Sequence, residues 1–324
     1  MLLAGDIGGT KALIGLFSPA PRRPTAIDVR SFSTHAYDSL GSIVAEYFAT
    51  GGAHPPIEAA CFGVAGPIVE QTATLTNVPW RISAAEITER FGLDRVRLLN
   101  DLESMAYSVA VLEPDELAVI QRGERRPGGN AALIAAGTGL GEAFLHSIGG
   151  KFRPAASEGG HADFAPNGER QVELLRMLTR EFGRADWEHV ISGPGLTHIH
   201  RLTHGGQSCE AVGPRADAAD LAAVISNAAL EGRCARCVEA LRIFVAAYGA
   251  EAGNLALRSL ATAGVFVGGG IAPKILPALM DGTFVRAFVD KGPMRDLLAL
   301  VPVQVILNPQ AGLLGAAVYA GEMV

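Results

Sequence analysis

With 324 residues, 49% of them apolar and 19% charged, the chain describes a well-buried globular protein of about two domains and excludes intrinsic disorder. A net charge of −6, with no cluster of Lys and Arg, argues against a nucleic-acid partner and leaves a small-molecule ligand as the expectation. Asp6 interrupts any would-be signal-peptide core, and no segment approaches the ~20 uncharged apolar residues of a membrane helix, so a cytoplasmic protein with no membrane partner is expected.

The opening stretch, Leu2-Leu3-Ala4 followed by Gly5-Asp6-Ile7-Gly8-Gly9-Thr10-Lys11 and the apolar run to Phe17, predicts two buried strands joined by a tight glycine turn. It reads either as an ordinary hairpin or as a phosphate loop. In the second case the backbone amides of Gly5 to Thr10 approach an anion without a Cβ in the way, the Thr10 hydroxyl adds a donor, and Asp6 holds a metal ion through water. Pro19 to Pro24 predicts a loop and Asp28 to Ser33 a third strand. Ala59 to Pro67 is an apolar run stopped by Gly66-Pro67, which marks a buried strand reaching a loop at its end, and Ser83 with Glu86 forms a capping box that opens a helix to about Phe91.

Val96 to Asp101 is a strand whose last two residues are polar, placed before the helical pattern Leu102, Met105, Ala106, Val109. In an open α/β sheet the carboxyl ends of strands face the ligand, so Asn100 and Asp101 stand where chemistry is done; the alternative makes Asp101 a helix N-cap and nothing more. Ala131 to Leu145 repeats the first pattern, with a turn at Gly137-Thr138-Gly139-Leu140-Gly141, and a third strand runs from Gly264 into Gly268-Gly269-Gly270. Two α/β units that each begin with a glycine hairpin can clamp a nucleotide's phosphates from opposite sides of a cleft, and the third turn suits its nucleoside end.

Between the second and third turns, Ser157-Glu158-Gly159-Gly160-His161-Ala162-Asp163 sets a carboxylate and an imidazole three residues apart among glycines, and Trp187-Glu188 precedes Ser192-Gly193-Pro194-Gly195. Carboxylates with a His and an Asn suit a polyol, whose hydroxyls each donate and accept. Helical patterns run from Ala218 to Leu230 and from about Cys234 to Leu260; a last strand, Val303 to Ile306, leads to a helix from Gln310 to about Ala320. The four cysteines are too few for a disulfide framework. Cys234 and Cys237 form a Cys-x-x-Cys pair in a helical stretch, but no second pair or nearby His completes a tetrahedral site, so buried thiols and no zinc are expected.

These stretches together resemble the bacterial glucokinases, members of the actin-like ATPase and hexokinase fold group. The resemblance spans essentially the whole chain and rests on Gly5 to Thr10, Leu99 to Asp101, Gly137 to Gly141, Ser157 to Pro166, Ser192 to Leu196 and Asn308 to Gly315. It implies an α/β, two-domain actin-like ATPase (ribonuclease H-like) fold with a cleft between the domains. The small domain would be residues 1–110 completed by 309–324, and the large domain 111–308.

It also implies transfer of the γ-phosphoryl group of ATP to the 6-hydroxyl of glucose with Mg²⁺. Asp101 would be the base; Asn100, Asp101, Glu158, His161 and Glu188 would hold the sugar, and the protein would commonly be a homodimer. Lys11 departs toward the related ROK sugar kinases, but the Cys cluster that those proteins carry after their Glu-x-Gly-His motif is expected to have no counterpart from Ala162 to Arg170 or in the residues beyond, which places the chain with the zinc-free glucokinases. The rival readings are a kinase of another hexose or an N-acetylhexosamine, and a non-catalytic sugar sensor. The sensor would need a DNA-binding domain, for which the glycine motif at residue 5 leaves no expected room.

Overall fold

The computed structural model describes residues 1–52, 55–75, 78–213 and 220–324. In chain order the first strands are β1 (Leu2–Ile7), β2 (Lys11–Ser18) and β3 (Thr25–Ser33), then helix α1 (Leu40–Thr50) and β4 (Ala59–Val64). Three short strands follow, β5 (Ile68–Val69), β6 (Thr72–Thr74) and β7 (Arg81–Ser83), then α2 (Ala84–Phe91), β8 (Val96–Asn100) and α3 (Asp101–Ser108). Next come β9 (Leu117–Gln121), β10 (Ala131–Ala136), β11 (Leu140–Ile148), β12 (Lys151–Ser157), α4 (Glu169–Phe182), α5 (Gly193–His204), α6 (Leu221–Leu230) and α7 (Ala235–Ser259). The chain closes with β13 (Gly264–Gly268), α8 (Leu276–Leu279), α9 (Thr283–Val289), α10 (Arg295–Ala299), β14 (Val303–Ile306) and α11 (Ala311–Glu322). The expected helix start at Ala218 lies outside the described residues. Among the described residues no helix is long and apolar enough to cross a membrane.

The chain divides into two compact units, Met1–Glu113 with Asn308–Val324, and Pro114–Leu307. The first is built on a five-stranded sheet in the order β3-β2-β1-β4-β8, in which β2 runs antiparallel to both β1 and β3 while β1, β4 and β8 are parallel. Both faces are covered, which is why β1 reads as an apolar run broken only by Asp6. Leu3 and Ile7 point into one core with Ile43, Val44 and Ile87 of α1 and α2. Leu2 and Ala4 point into the other, against Leu313, Ala316, Ala317 and Ala320 of α11. Asp6 shares the period-two phase of Leu2 and Ala4 and so faces α11.

The meeting of α11 with its neighbours needs residues without side chains. A Cβ on Gly315 would stand 1.7 Å from the Ser104 carbonyl oxygen of α3, and one on Gly312 2.8 Å from Asp6 Oδ2. The Ser104 hydroxyl donates to the Gly312 carbonyl at 2.8 Å, so a side chain of α3 is joined to the backbone of α11 at that point.

The second unit repeats this topology. Its sheet order is β12-β11-β10-β13-β14-β9, with β11 antiparallel to β10 and β12, and β10, β13 and β14 parallel; β9 adds an antiparallel edge. One large core joins Ile134, Val265 and Val267 of the sheet to Ile199, Phe244, Tyr248 and Phe284 of the helices. The Ser83 helix forms where expected, but its capping box does not. Ser83 makes no side-chain cap bond, and Glu86 instead accepts from Arg81 at 2.9 Å, an exposed pair on the preceding strand.

Candidate active site

In the first unit the named residues gather at the carboxyl ends of the parallel strands, where an open α/β sheet presents its ligand groups. The register aligns Ile7 with Val64 and Val64 with Asn100, so the Gly8 turn, the Ala65-Gly66 loop and the start of α3 follow three neighbouring strand ends. The turn is closed by the Gly8 N–H donating to the Lys11 carbonyl at 2.9 Å. Thr34 braces it from outside: its hydroxyl donates to the Gly9 carbonyl at 2.7 Å and its N–H to that of Thr10 at 3.1 Å.

Asn100 is the N-cap of α3. Its Oδ1 accepts from Leu102 and Glu103 N–H groups at 3.0 and 3.4 Å, and its amide donates to the Gly66 carbonyl at 3.2 Å. Asp101 is therefore the first helical residue rather than the cap, and its exposed side chain accepts from the Leu102 N–H at 2.9 Å. Burial first, and the Asp101 charge second, push the Asp6 carboxyl up to about 6, against the opposing pull of Lys11. Two carboxylates so disposed form an oxygen-rich, negatively charged setting suited to a hard divalent cation.

In the second unit the glycine turn and the polar loops form one hydrogen-bonded cluster. The Gly137 N–H donates to the Gly139 carbonyl at 2.8 Å, and the Gly193 N–H at the start of α5 donates to the Gly137 carbonyl at 2.9 Å. Glu188 lies beneath the turn: Oε2 accepts from the Leu140 N–H at 2.9 Å, and a Cβ on Gly139 would stand 2.5 Å from that oxygen. The backbone of Glu188 reaches the other way, its N–H donating to the Gly160 carbonyl at 2.8 Å. Beside it Trp187 is fully buried, edge-on to Phe164 with ring centroids 5.0 Å apart, which anchors the segment. The Gly268 turn joins the same edge, because the Ile271 N–H donates to the Ala136 carbonyl at 3.2 Å, next to Gly137.

Glu158 and His161 are exposed. His161 is oriented by Asp186, a buried carboxylate whose Oδ2 accepts from Nδ1 at 3.2 Å while Oδ1 accepts from the His189 N–H at 2.9 Å. The hydrogen bond to Asp186 raises the His161 pKa above its ordinary value, outweighing burial. Burial opposes the Asp186 charge, but the His189 N–H and His161 hold its carboxyl below the usual range.

Sequence reasoning missed Thr34 and Asp186, both polar residues whose partners lie about 25 positions away and which no local pattern marks. Three residues counted with the nucleotide loops belong to packing. Gly5 and Ile7 are buried within β1, between Ile14 or Ala12 on one side and Phe62 or Val64 on the other, and Gly268 is buried at the end of β13. Thr10, Thr138 and Gly270 are exposed at the turns themselves. The expectation that no His stands near the Cys-x-x-Cys pair is also overturned: the fold brings His200, His204 and Cys209 to Cys237, across separations that sequence proximity does not reveal.

A family model described as Glucokinase matches residues 3–323. A glucokinase of Synechocystis sp. (strain ATCC 27184 / PCC 6803 / Kazusa) is 38% identical, with 99% of this chain and 98% of the relative covered. The chain belongs to the glucokinase family. A glucokinase of Yersinia pestis (strain Angola) is 34% identical over 98% of this chain and 95% of its own length. The crystal structure of a glucokinase from an Antarctic psychrotroph matches with a TM-score of 0.88 at 31% identity, covering 99% of this chain and 98% of that one. A ROK-family glucokinase from Streptomyces griseus, solved in complex with glucose and AMPPNP, matches with a TM-score of 0.66 at 22% identity over 99% of each chain, which shows the fold alone. The glucokinase-family chain is thus an ATP-dependent hexose kinase with the two-domain actin-like ATPase fold.

Proposed function

We propose that the chain transfers the γ-phosphoryl group of ATP to the 6-hydroxyl of D-glucose, giving glucose 6-phosphate and ADP, with Asp101 as the base. The observation that carries this reading is the single sheet edge of the first unit, where the glycine turn, Asp6 and the exposed Asp101 carboxylate follow neighbouring parallel strands. Phosphoryl transfer asks a protein chiefly for alignment and charge neutralisation. Asp101 accepts a hydrogen bond from the 6-hydroxyl and takes its proton as the oxygen bonds to phosphorus, while the bond from phosphorus to the leaving ADP oxygen breaks.

Gly9 and Thr10 in one turn, and Thr138 and Gly139 in the other, offer backbone amides and two threonine hydroxyls to phosphates, while Gly8 and Gly137 close the turns, and Gly269-Gly270 lies along the nucleoside. Asp6 would hold Mg²⁺ through water, a role supported by a carboxylate that burial first, and the neighbouring Asp101 charge second, leave in need of a cation. When bound, that ion neutralises phosphoryl oxygens. The sugar's remaining hydroxyls are taken by Asn100, Glu158, His161 and Glu188, with Asp186 positioning the imidazole. The same reading makes the protein a cytoplasmic homodimer, supported by the family resemblance and checked by sedimentation velocity.

The test is steady-state ADP release with Mg²⁺-ATP and a panel of D-glucose, mannose, fructose and N-acetylglucosamine. Glucose should give the highest kcat/KM, with glucose 6-phosphate as product. Glucose binding without turnover of any hexose would assign a sensor instead, and faster turnover of another sugar would reassign the substrate.

A further inference from the structure

At the opposite end of α5 from Ser192, two histidines one helical turn apart meet three cysteines from two later segments. One donor atom from each of His200, His204, Cys209 and Cys237 lies within 4.8 Å of every other. The Cys209 and Cys237 sulfurs are 3.7 Å apart and not bonded, and the Cys234 sulfur is 3.5 Å from His204 Nε2. A tetrahedral zinc centre with Zn–S of about 2.3 Å and Zn–N of about 2.0–2.1 Å has S···S edges of about 3.8 Å and S···N edges of about 3.6 Å. The Cys209–Cys237 separation matches the S···S edge, and Cys234 stands at the distance of a neighbouring thiol from His204.

The imidazoles are prepared in the way ligating histidines are. His204 Nδ1 donates to the His200 carbonyl at 2.9 Å, which leaves the Nε2 lone pair turned to the thiols. His200 Nε2 is buried with no hydrogen-bond partner among the described residues, although its ring stacks on His204 with centroids 3.9 Å apart. Cys237 is fully buried in the first turn of α7, which Cys234 caps, and Cys209 is held in a turn by the Val212 and Gly213 N–H groups that donate to its carbonyl at 3.1 and 3.0 Å.

We infer that His200, His204, Cys209 and Cys237 form a closed binding site for a zinc ion, with Cys234 as a further thiol at its rim. Thiolate and imidazole donors without a carboxylate select zinc over magnesium or calcium, and four protein ligands leave no open position for catalysis. The ion would staple the end of α5 and the segment after it to the start of α7. The site is independent of the kinase reading, whose failure would not affect it.

Protein purified under reducing conditions without chelator from zinc-supplemented cells should carry about one zinc per chain by elemental analysis. Cobalt in its place should give the intense visible bands of tetrahedral thiolate coordination. Cys237→Ser should weaken zinc binding by about 100-fold or more. Should that variant fail to fold, Cys209→Ser, at a half-buried turn position, gives the same readout, and Cys61→Ser in the other unit should bind as the unaltered chain does. Unaltered protein that takes up neither Zn²⁺ nor Co²⁺ at micromolar concentration would overturn the inference. So would metal-free protein in which a mild oxidant links Cys209 to Cys237 and which binds no metal once reduced, since that pair would then be a redox couple.

Discussion

Asp6 shows how one buried carboxylate trades stability for a charged site. Its carboxyl ionises near pH 6 in the fold against the ordinary 3.8, so the folded state favours the neutral form. The resulting penalty is absent below pH 3.8, grows as pH rises, and is complete above pH 6, where a shift of that size amounts to at most about 3 kcal/mol. Asp6→Asn should therefore stabilise the ligand-free protein at pH 8 and about half as much at pH 5, measured by denaturant unfolding, while raising the Mg²⁺ concentration needed for half-maximal turnover. Equal stabilisation at both pH values would show that the carboxylate is not under this strain. Asp6 stands out in the sequence because it interrupts an apolar run, as Glu158 and His161 do because glycines lie beside them and Glu188 because it precedes the Ser192-Gly193-Pro194-Gly195 turn. Asp186 does not: nothing near it in the chain announces that its oxygen will meet a ring 25 residues earlier.

At the level of elements, the glycine hairpins were legible because both periodicity and turn chemistry are local. The strand Val303–Ile306 has the bounds read from the sequence, and Ala59–Val64 falls within the apolar run read there. The small sheet of β5 to β7, by contrast, has no apolar alternation long enough to read. It depends on Gln71, whose side-chain oxygen accepts from the Leu98 N–H at 2.9 Å, and on a two-residue turn in which Glu70 and Gln71 take φ of 48° and 57° without glycine. The α3–α11 crossing is a second non-local device. Gly315→Ala would force a methyl group onto the Ser104 carbonyl oxygen and should cost about 3 kcal/mol or more of stability, whereas Gly321→Ala on the same helix meets only Leu2 Cδ1 at 3.5 Å and should be nearly neutral. Thermal unfolding of the two variants side by side checks this; equal losses would mean that α3 and α11 do not pack through Gly315.

For the whole molecule, the sequence's repeated motif corresponds to a repeated topology: both units order their first five strands so that an antiparallel hairpin pair flanks three parallel strands. Repetition of a glycine turn after β1 and after β10 was enough to expose this, since the turn chemistry recurs with the fold. The histidine and cysteine cluster was not legible, because its donors lie in three segments that only the packing of α5 and α7 unites.

The account's central claim, that Asp101 takes the proton of the sugar hydroxyl, is tested most directly by Asp101→Asn. The amide keeps hydrogen-bonding capacity and loses the basic oxygen. The predicted result is a kcat lowered by about 10³-fold or more at saturating Mg²⁺-ATP and glucose, with the glucose Kd from calorimetry changed by less than about threefold. A variant that binds glucose normally and retains a tenth or more of kcat would contradict it.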